Sequence, residues 1–179
     1  LVCQPSPERL GRCDIFADMI SDSVVSLTRG TRPGSFAALM TLYESNYIRL
    51  GWLMHDLAAP ATAAVSDVAG DLPLYLTLLE RTRYTTTVCL TYYFDEGEER
   101  LADPDLRVRI YHDARLAEAM ACTHRHRHEA LRRLDPEPSG ELSRRWVRNV
   151  MLNKWLEYCA DQGHWFPEHR PTLCAVGNP

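Results

Sequence analysis

The sequence predicts an α+β fold: a four-stranded antiparallel meander, with one long helix before it and one after it, both packed on one face. Between residues 72 and 122, apolar residues recur at every second position, which is the period of a half-buried strand. In residues 35–56 and 140–162 they recur at three- and four-residue steps, as in a helix with one buried side. A sheet with one apolar face needs such helices to cover it.

The first predicted helix begins at Ser35, whose hydroxyl is a suitable N-cap. Its apolar residues form one stripe: Phe36, Leu39, Met40, Tyr43, Tyr47, Leu50 and Met54. The helix is predicted to end near Asp56, because Pro60 follows and proline disfavours helix in the residue before it. Residues 57–71 are then predicted to be a linker of small residues.

The four predicted strands alternate between an apolar and a polar face. Leu74 and Leu76 belong to the apolar face of the first strand, and Leu106, Val108 and Ile110 to that of the third. In the fourth strand, Leu116, Met120 and Cys122 are predicted to share the apolar face. The polar face is predicted to carry Tyr75, Thr77, Thr85, Thr87, Thr91, Tyr93, Arg107, Arg109 and Tyr111. Tyr and Arg are favoured at protein interfaces, although Thr and Tyr are also good strand formers.

The last helix is predicted to be capped by Ser139 and to end at Gly163. The chain then divides into three regions. Residues 1–34 are expected to be a partly ordered N-terminal extension, residues 35–166 the α+β domain, and residues 167–179 a C-terminal tail.

Composition restricts the class of protein. The chain has 179 residues, 45% of them hydrophobic and 25% charged, which is typical of one soluble globular domain. It has no apolar run of the roughly 20 residues that a membrane helix needs, and no basic leader, so a cytoplasmic location is expected. Residues 105–148 hold ten basic and seven acidic side chains, too mixed a surface for nucleic-acid binding.

The six cysteines include no C-x-x-C pair, which argues against a structural zinc site or a disulfide scaffold. Cys89, Cys122 and Cys159 fall within apolar patterns and are predicted to lie in the core.

Three stretches of the sequence, taken together, resemble one known family. They are Glu80-Arg81-Thr82-Arg83-Tyr84-Thr85-Thr86, Val108-Arg109-Ile110-Tyr111-His112-Asp113-Ala114 and Trp155-Leu156-Glu157-Tyr158-Cys159. They resemble the YqiB-like family of small bacterial proteins, a domain family of unknown function, over roughly residues 33–166. The resemblance implies an intracellular bacterial protein and transfers no catalytic or binding residue.

His124, His126 and His128 form the first candidate site. On a strand they would project from one face about 7 Å apart, and a His-x-His pair can offer two nitrogens to zinc or another transition metal. The alternative is a solvated strand end that binds nothing, and this reading is favoured over a metal cofactor.

A second candidate site is predicted at one rim of the meander, and its residues are Arg83, Tyr84, Arg109, Tyr111, His112 and Asp113. The first and third turns lie at the same end of a meander, so Arg83 and His112 should meet there. A histidine beside an aspartate can act as a general base while an arginine holds an anionic group. Alternatively, Arg83 and Asp113 form a salt bridge that joins the two hairpins.

Two functions therefore stay open. The favoured one is a non-enzymatic binding or adaptor protein, whose polar sheet face and rim engage a protein, a small anionic ligand or a second copy. The other is a hydrolytic or metal-assisted enzyme that uses His112 and Asp113 or the histidine row. The sequence contains no P-loop, dinucleotide fingerprint, nucleophile elbow or HExxH motif, which favours the first.

Overall fold

Two helices and five strands make up the part of the chain that the computed structural model describes, which is residues 34–96, 99–123 and 140–166. The elements in chain order are α1 (Phe36–Leu53), β1 (Ala63–Ser66), β2 (Leu74–Arg81), β3 (Thr85–Glu96), β4 (Glu99–Tyr111), β5 (Leu116–Thr123) and α2 (Glu141–Asp161). The strands form one antiparallel sheet in the order β1-β2-β3-β4-β5. The α+β class and the meander are confirmed, with one strand more than predicted.

The additional strand is β1, which lies within the predicted linker 57–71. The linker prediction is wrong for Ala63–Ser66, which pair with β2. Alanine has low strand propensity, so these four residues carry almost no sequence signal for a strand. The strand is stabilised by pairing with β2 rather than by local propensity, since each residue from Ala63 to Ser66 has a partner there.

The ends of α1 follow the predicted chemistry. Ser35 is the N-cap, and its Oγ accepts a hydrogen bond from Ala38 N–H at 3.2 Å. The helix ends at Leu53, a few residues before the expected Asp56, because Met54 is already extended. Met54 forms a short parallel bridge with Phe166, which ties the end of α1 to the segment that follows α2.

The first turn of α2 differs from the prediction. Its N-cap is Gly140, which has no side chain to offer, whereas Ser139, the predicted cap, lies outside the described residues. Glu141 provides a negative charge in the first turn, which favours the positive end of the helix dipole. At the other end Gly163 has φ +87°, a left-handed conformation that suits glycine, and this confirms the predicted helix end.

The two faces of the sheet have the predicted orientation. Leu106, Val108 and Ile110 are fully buried, whereas Arg107 is exposed and Arg109 partly exposed. The core between sheet and helices contains Leu50, Leu53, Leu74, Leu76, Val88, Leu90, Tyr92, Leu106, Val108, Ile110, Leu152, Trp155, Leu156 and Cys159. The face away from the helices is called the open face below.

The prediction that Leu116, Met120 and Cys122 share the apolar face of the fourth strand, now β5, is wrong at Met120. Leu116 packs, partly buried, against an apolar cluster of α1 and α2, and the Cys122 side chain lies outside the described part. Ala117 and Ala119 are the residues buried against the core, and Met120 is exposed. In the register, Arg107 pairs with Ala121 and Val108 with Ala119, so Met120 is an additional residue in a bulge. A bulge shifts the alternation by one residue, which a period-of-two reading cannot detect.

The helices also cover the outer edge of β5. Ala119 N–H donates to Asn149 Oδ1 at 2.8 Å, and Asn46 Nδ2 donates to Ala117 O at 3.3 Å. Arg148 Nε donates to Ala119 O at 3.4 Å. Backbone groups that an edge strand would leave unpaired are therefore satisfied by side chains of α1 and α2. Neither described helix is long and apolar enough to cross a membrane.

Candidate functional site

The open face is organised in rows of side chains that run across the strands. Its central row, defined by the strand register, consists of Ala63, Thr77, Cys89, Arg107 and Ala121. Four of these five side chains are short, so Arg107 is the one large group in the row. It is exposed, and among the residues that the structure describes no carboxylate lies within ion-pair distance of its guanidinium. A cation on a floor of short side chains is accessible to a partner.

An aromatic cluster lies on one side of the central row. Tyr75 and Tyr93 pack edge to face, with ring centroids 4.9 Å apart. The Arg100 guanidinium lies 4.2 Å from the Tyr93 centroid and donates to Tyr75 Oη at 2.8 Å. Cation–π contact and ring packing hold the three side chains together. They form a preorganised surface of the kind that protein interfaces use.

A charged cluster lies on the other side of the central row. Arg109 donates to Thr87 Oγ1 at 3.3 Å and lies 3.5 Å from Glu80 Oε2. Tyr111 Oη donates to Glu118 Oε1 at 2.9 Å. Among the described residues whose register positions lie on the open face there are three arginines and three carboxylates: Arg100, Arg107 and Arg109, and Glu80, Asp105 and Glu118. Of these, Glu118 is buried and also pairs with Arg145 of α2 at 3.7 Å.

Cys89 lies on the open face, so its predicted core position is wrong, whereas Cys159 is buried as predicted and the Cys122 side chain lies outside the described part. The Cys89 thiol donates to Asp105 Oδ1 at 2.8 Å, and Thr91 Oγ1 donates to the same oxygen at 2.7 Å. Burial and the Asp105 carboxylate raise the pKa of the Cys89 thiol to about 11, against a smaller lowering by Arg107. The thiol is therefore protonated at neutral pH and is a poor nucleophile.

This contact predicts how fast Cys89 reacts with iodoacetamide at pH 8. Asp105→Asn removes the negative charge that raises the pKa of Cys89, so alkylation should become at least about threefold faster. Arg107→Ala removes a charge that lowers the pKa of Cys89 and should make alkylation slower. Peptide-resolved mass spectrometry separates Cys89 from the other cysteines. Equal rates in the three proteins would contradict the assigned contact.

The predicted rim residues lie together at one end of the sheet. His112 N–H donates to Tyr84 O at 3.0 Å, and the Arg83 guanidinium lies 5.1 Å from the centroid of the exposed Tyr84 ring. His112 Nε2 is 2.9 Å from Thr86 Oγ1, whereas Asp113 Oδ1 accepts from Ala114 N–H in its own turn.

The two side-chain contacts that the sequence suggests for the rim are not formed. His112 and Asp113 use their polar atoms on different neighbours, so they are not joined as acid and base. Among the described residues Arg83 and Asp113 form no ion pair; the two hairpins are joined by the β3–β4 ladder, which the backbone bond from His112 to Tyr84 extends at the rim.

The row His124, His126 and His128 lies outside the described residues, so the zinc hypothesis rests on the sequence alone. Within the described ranges, no group of three or more His, Cys, Asp or Glu side chains is arranged to hold a metal ion.

Sequence reasoning did not find a buried polar cluster at the opposite end of the sheet. His164 Nδ1 is 3.1 Å from Ser66 Oγ, and His164 Nε2 is 3.1 Å from Asp71 Oδ2. Ser66 Oγ also accepts from Trp165 N–H at 3.0 Å. His164 lies more than 90 positions along the chain from both Ser66 and Asp71. The glycines before Asp71 and His164 mark turns but do not indicate that these turns meet.

The cluster connects the same residue types as a catalytic triad, but its members are packed inside the protein. Ser66 and His164 are buried, and Tyr92 Oη donates to Asp71 Oδ2 at 3.1 Å. Burial raises the pKa of Asp71, but hydrogen bonds from Leu72 N–H, His164 and tyrosine hydroxyls outweigh it and lower the pKa overall. Burial also raises the pKa of the neighbouring Cys159 thiol to about 12. The cluster joins the segment after α2 to β1 and holds one carboxylate ionised.

Comparisons with known proteins identify the family of this chain. A family model described as a protein of unknown function, DUF1249, matches residues 49–165, which include the sheet, the rim and all of the buried cluster. The uncharacterized protein YqiB of Escherichia coli K12 is 33% identical over 131 residues, covering 72% of this chain and 90% of YqiB. YqiB of the O6:H1 and O157:H7 strains matches to the same extent. No solved structure matches the chain. The chain therefore belongs to the DUF1249 family, to which its YqiB-like sequence pattern points.

Proposed function

We propose that this chain is a non-enzymatic binding protein that engages a partner protein through the open face of its sheet. The observation that carries the proposal is Arg107, an exposed guanidinium in the central row, with no carboxylate in ion-pair distance among the described residues. An arginine on a rigid sheet loses little conformational freedom when it pairs with a carboxylate of a partner.

The chemistry of the open face suits a protein partner better than a nucleic acid. Its described arginines and carboxylates balance, whereas binding to a phosphate backbone requires an excess of positive charge. The Tyr75, Tyr93 and Arg100 cluster offers flat, ordered aromatic area beside Arg107. Tyr and Arg are the side chains that most often dominate binding energy at protein interfaces.

The rim extends this surface. Arg83 and Tyr84 are exposed and stacked on each other, and Asp113 is exposed in the next turn. Arg109 and Tyr111 connect the rim to the open face through Glu80 and Glu118. In this proposal Arg83 receives an anionic group of the same partner, because no described carboxylate occupies it.

The contacts favour binding over hydrolysis. A general base at the rim would need Asp113 to orient His112, and the two side chains bond to different neighbours. The Cys89 thiol, which lies on the open face, is held protonated by burial and Asp105. Neither group is prepared as a nucleophile or base.

The test is photo-crosslinking in the native host. A photoreactive amino acid at Thr77, in the central row, should crosslink to a defined partner that mass spectrometry identifies. The same amino acid at Glu44, on the exposed side of α1, serves as the matched position away from the site. The Thr77 crosslink should fall at least about tenfold in Arg107→Ala, since a buried charged contact contributes more than 1.4 kcal/mol.

The control for charge removal is Arg144→Ala, which deletes an exposed arginine of α2 that pairs with Glu141. It should leave the crosslink unchanged. A partner captured equally well at Glu44, or equally well by the Arg107→Ala protein, would place binding elsewhere and refute the proposal.

A further inference from the structure

The two edges of the sheet differ in how their backbone groups are satisfied. At the β5 edge, side chains of Asn46, Asn149 and Arg148 bond to the backbone of Ala117 and Ala119. At the β1 edge, no strand and no side chain among the described residues takes the corresponding place. An uncovered edge strand is a template for pairing with another strand.

The register shows which groups of β1 are available. Leu78 N–H donates to Thr62 O at 2.8 Å, so Thr62 and Leu78 are a hydrogen-bonded pair. Such pairs alternate along an antiparallel ladder, and Ala64 and Ser66 therefore also bond to β2. Ala63 and Val65 consequently direct their N–H and C=O groups away from the sheet, and both residues are exposed.

We propose that β1 pairs antiparallel with β1 of a second copy of this chain, about a two-fold axis at Ala64. In this arrangement Ala63 exchanges two hydrogen bonds with the partner's Val65, and Val65 exchanges two with the partner's Ala63. The N–H and C=O groups of Ala63 and Val65, the four outward backbone groups of each copy, are then all hydrogen-bonded. The contact is isologous, since the same residues are used on both sides, and it closes after two copies.

The absence of charge and the small size of the side chains along β1 favour a second copy of this chain as the strand that pairs with it. Residues 57–66 contain no charged side chain, and Asp67 would lie opposite the partner's Ala61, so no like charges meet. Ala64 would face the partner's Ala64 in a non-hydrogen-bonded pair, where Cα atoms approach to about 4.5 Å and short side chains fit best. β1 also contains no lysine, proline or bulge, the features that usually prevent edge pairing.

Apolar side chains flank the same edge. Val65 and Trp165 are each 51% exposed, and Trp165 N–H bonds to Ser66 Oγ, which places its backbone at the end of β1. Burial of these two side chains in the dimer would stabilise it in addition to the four intermolecular backbone hydrogen bonds. Because β1 has only four residues, the dimer is reversible rather than permanent. The two sheets would become one of ten strands with a continuous open face, and the proposal does not depend on what that face binds.

The test is sedimentation velocity of the full chain over a concentration series, with two variants of one residue. Val65→Pro removes an N–H that points away from β2, so the intramolecular ladder is kept while two of the four intermolecular bonds are lost. The dissociation constant should rise by about tenfold or more. Val65→Thr, which keeps the N–H and the branched shape, should associate nearly as the wild type does.

Ala63→Lys provides an independent variant, because it places a charge at the paired edge without altering the backbone. Thermal unfolding of each variant shows whether it is folded. If Val65→Pro does not fold, the dissociation constant of Ala63→Lys tests the proposal. A wild-type chain that is monomeric at every concentration overturns the proposal. A dimer that persists in the folded variants also overturns it, since the interface must then lie elsewhere.

Discussion

Asn149→Leu should lower the free energy of unfolding by about 3 kcal/mol or more. Asn149 Oδ1 accepts from Ala119 N–H at 2.8 Å and from Asn46 Nδ2 at 3.1 Å. Its Nδ2 donates to Arg145 O at 2.8 Å. Leucine has a similar volume but no polar atom, so a buried strand N–H and a buried amide would each lose an acceptor. Each unsatisfied buried group costs about 1–3 kcal/mol.

Urea unfolding followed by circular dichroism measures this loss. Arg144→Ala is the matched control on the same helix, because it removes an exposed ion pair with Glu141 and should change the free energy by less than about 0.5 kcal/mol. A change below about 1 kcal/mol in Asn149→Leu would show that the side chain does not satisfy the β5 edge.

Asp71→Asn should lower the free energy of unfolding at neutral pH by about 2–3 kcal/mol. The substitution keeps the shape of the side chain but removes the charge that receives bonds from His164 and the Tyr92 hydroxyl. The segment after α2 should loosen from β1 at the same time, because His164 connects them. Faster hydrogen exchange of residues 163–166 would report this local effect.

The effect of Asp71→Asn on the free energy of unfolding should depend on pH in a defined direction. In the folded chain the pKa of Asp71 is held below its ordinary value of 3.8, so the unfolded chain binds the proton more readily. The contribution of the ionised carboxylate is therefore fully present above the unfolded pKa and is lost as pH falls through the folded pKa. The difference between the wild type and Asp71→Asn should shrink in that acid range. A difference that does not shrink as the pH falls through the acid range would contradict the assigned role.

The strand pattern was sufficient to predict the orientation of the sheet. Arg107 and Arg109 alternate with three aliphatic residues, and one of the two faces must be buried, so the arrangement of β4 follows from a period of two. β1 was missed because its alanines have little strand propensity of their own. Met120 was placed on the wrong face of β5 because it forms a bulge, and only the pairing with β4 reveals it.

The candidate sites were predicted with less detail than the fold. The sequence placed the rim residues at one end, since turns of a meander alternate between its ends, and the His112 to Tyr84 bond agrees with that. It did not show that His112 turns to Thr86 while Asp113 bonds within its own turn. The sequence also did not predict the contact between Asp71 and His164. That contact depends on how the segment after α2 packs against β1, and no local pattern encodes it.

The central claim is that the open face of the sheet is the surface at which this protein binds its partner. Hydroxyl-radical footprinting in the native host and on the purified chain tests it without knowledge of the partner. Tyr75 and Tyr93, beside Arg107, should be oxidised several-fold less in cells than in the purified protein, whereas the exposed Trp52 of α1 should be oxidised equally in both. Equal oxidation of the two tyrosines in both samples, with protection of Trp52 in cells, would contradict the account.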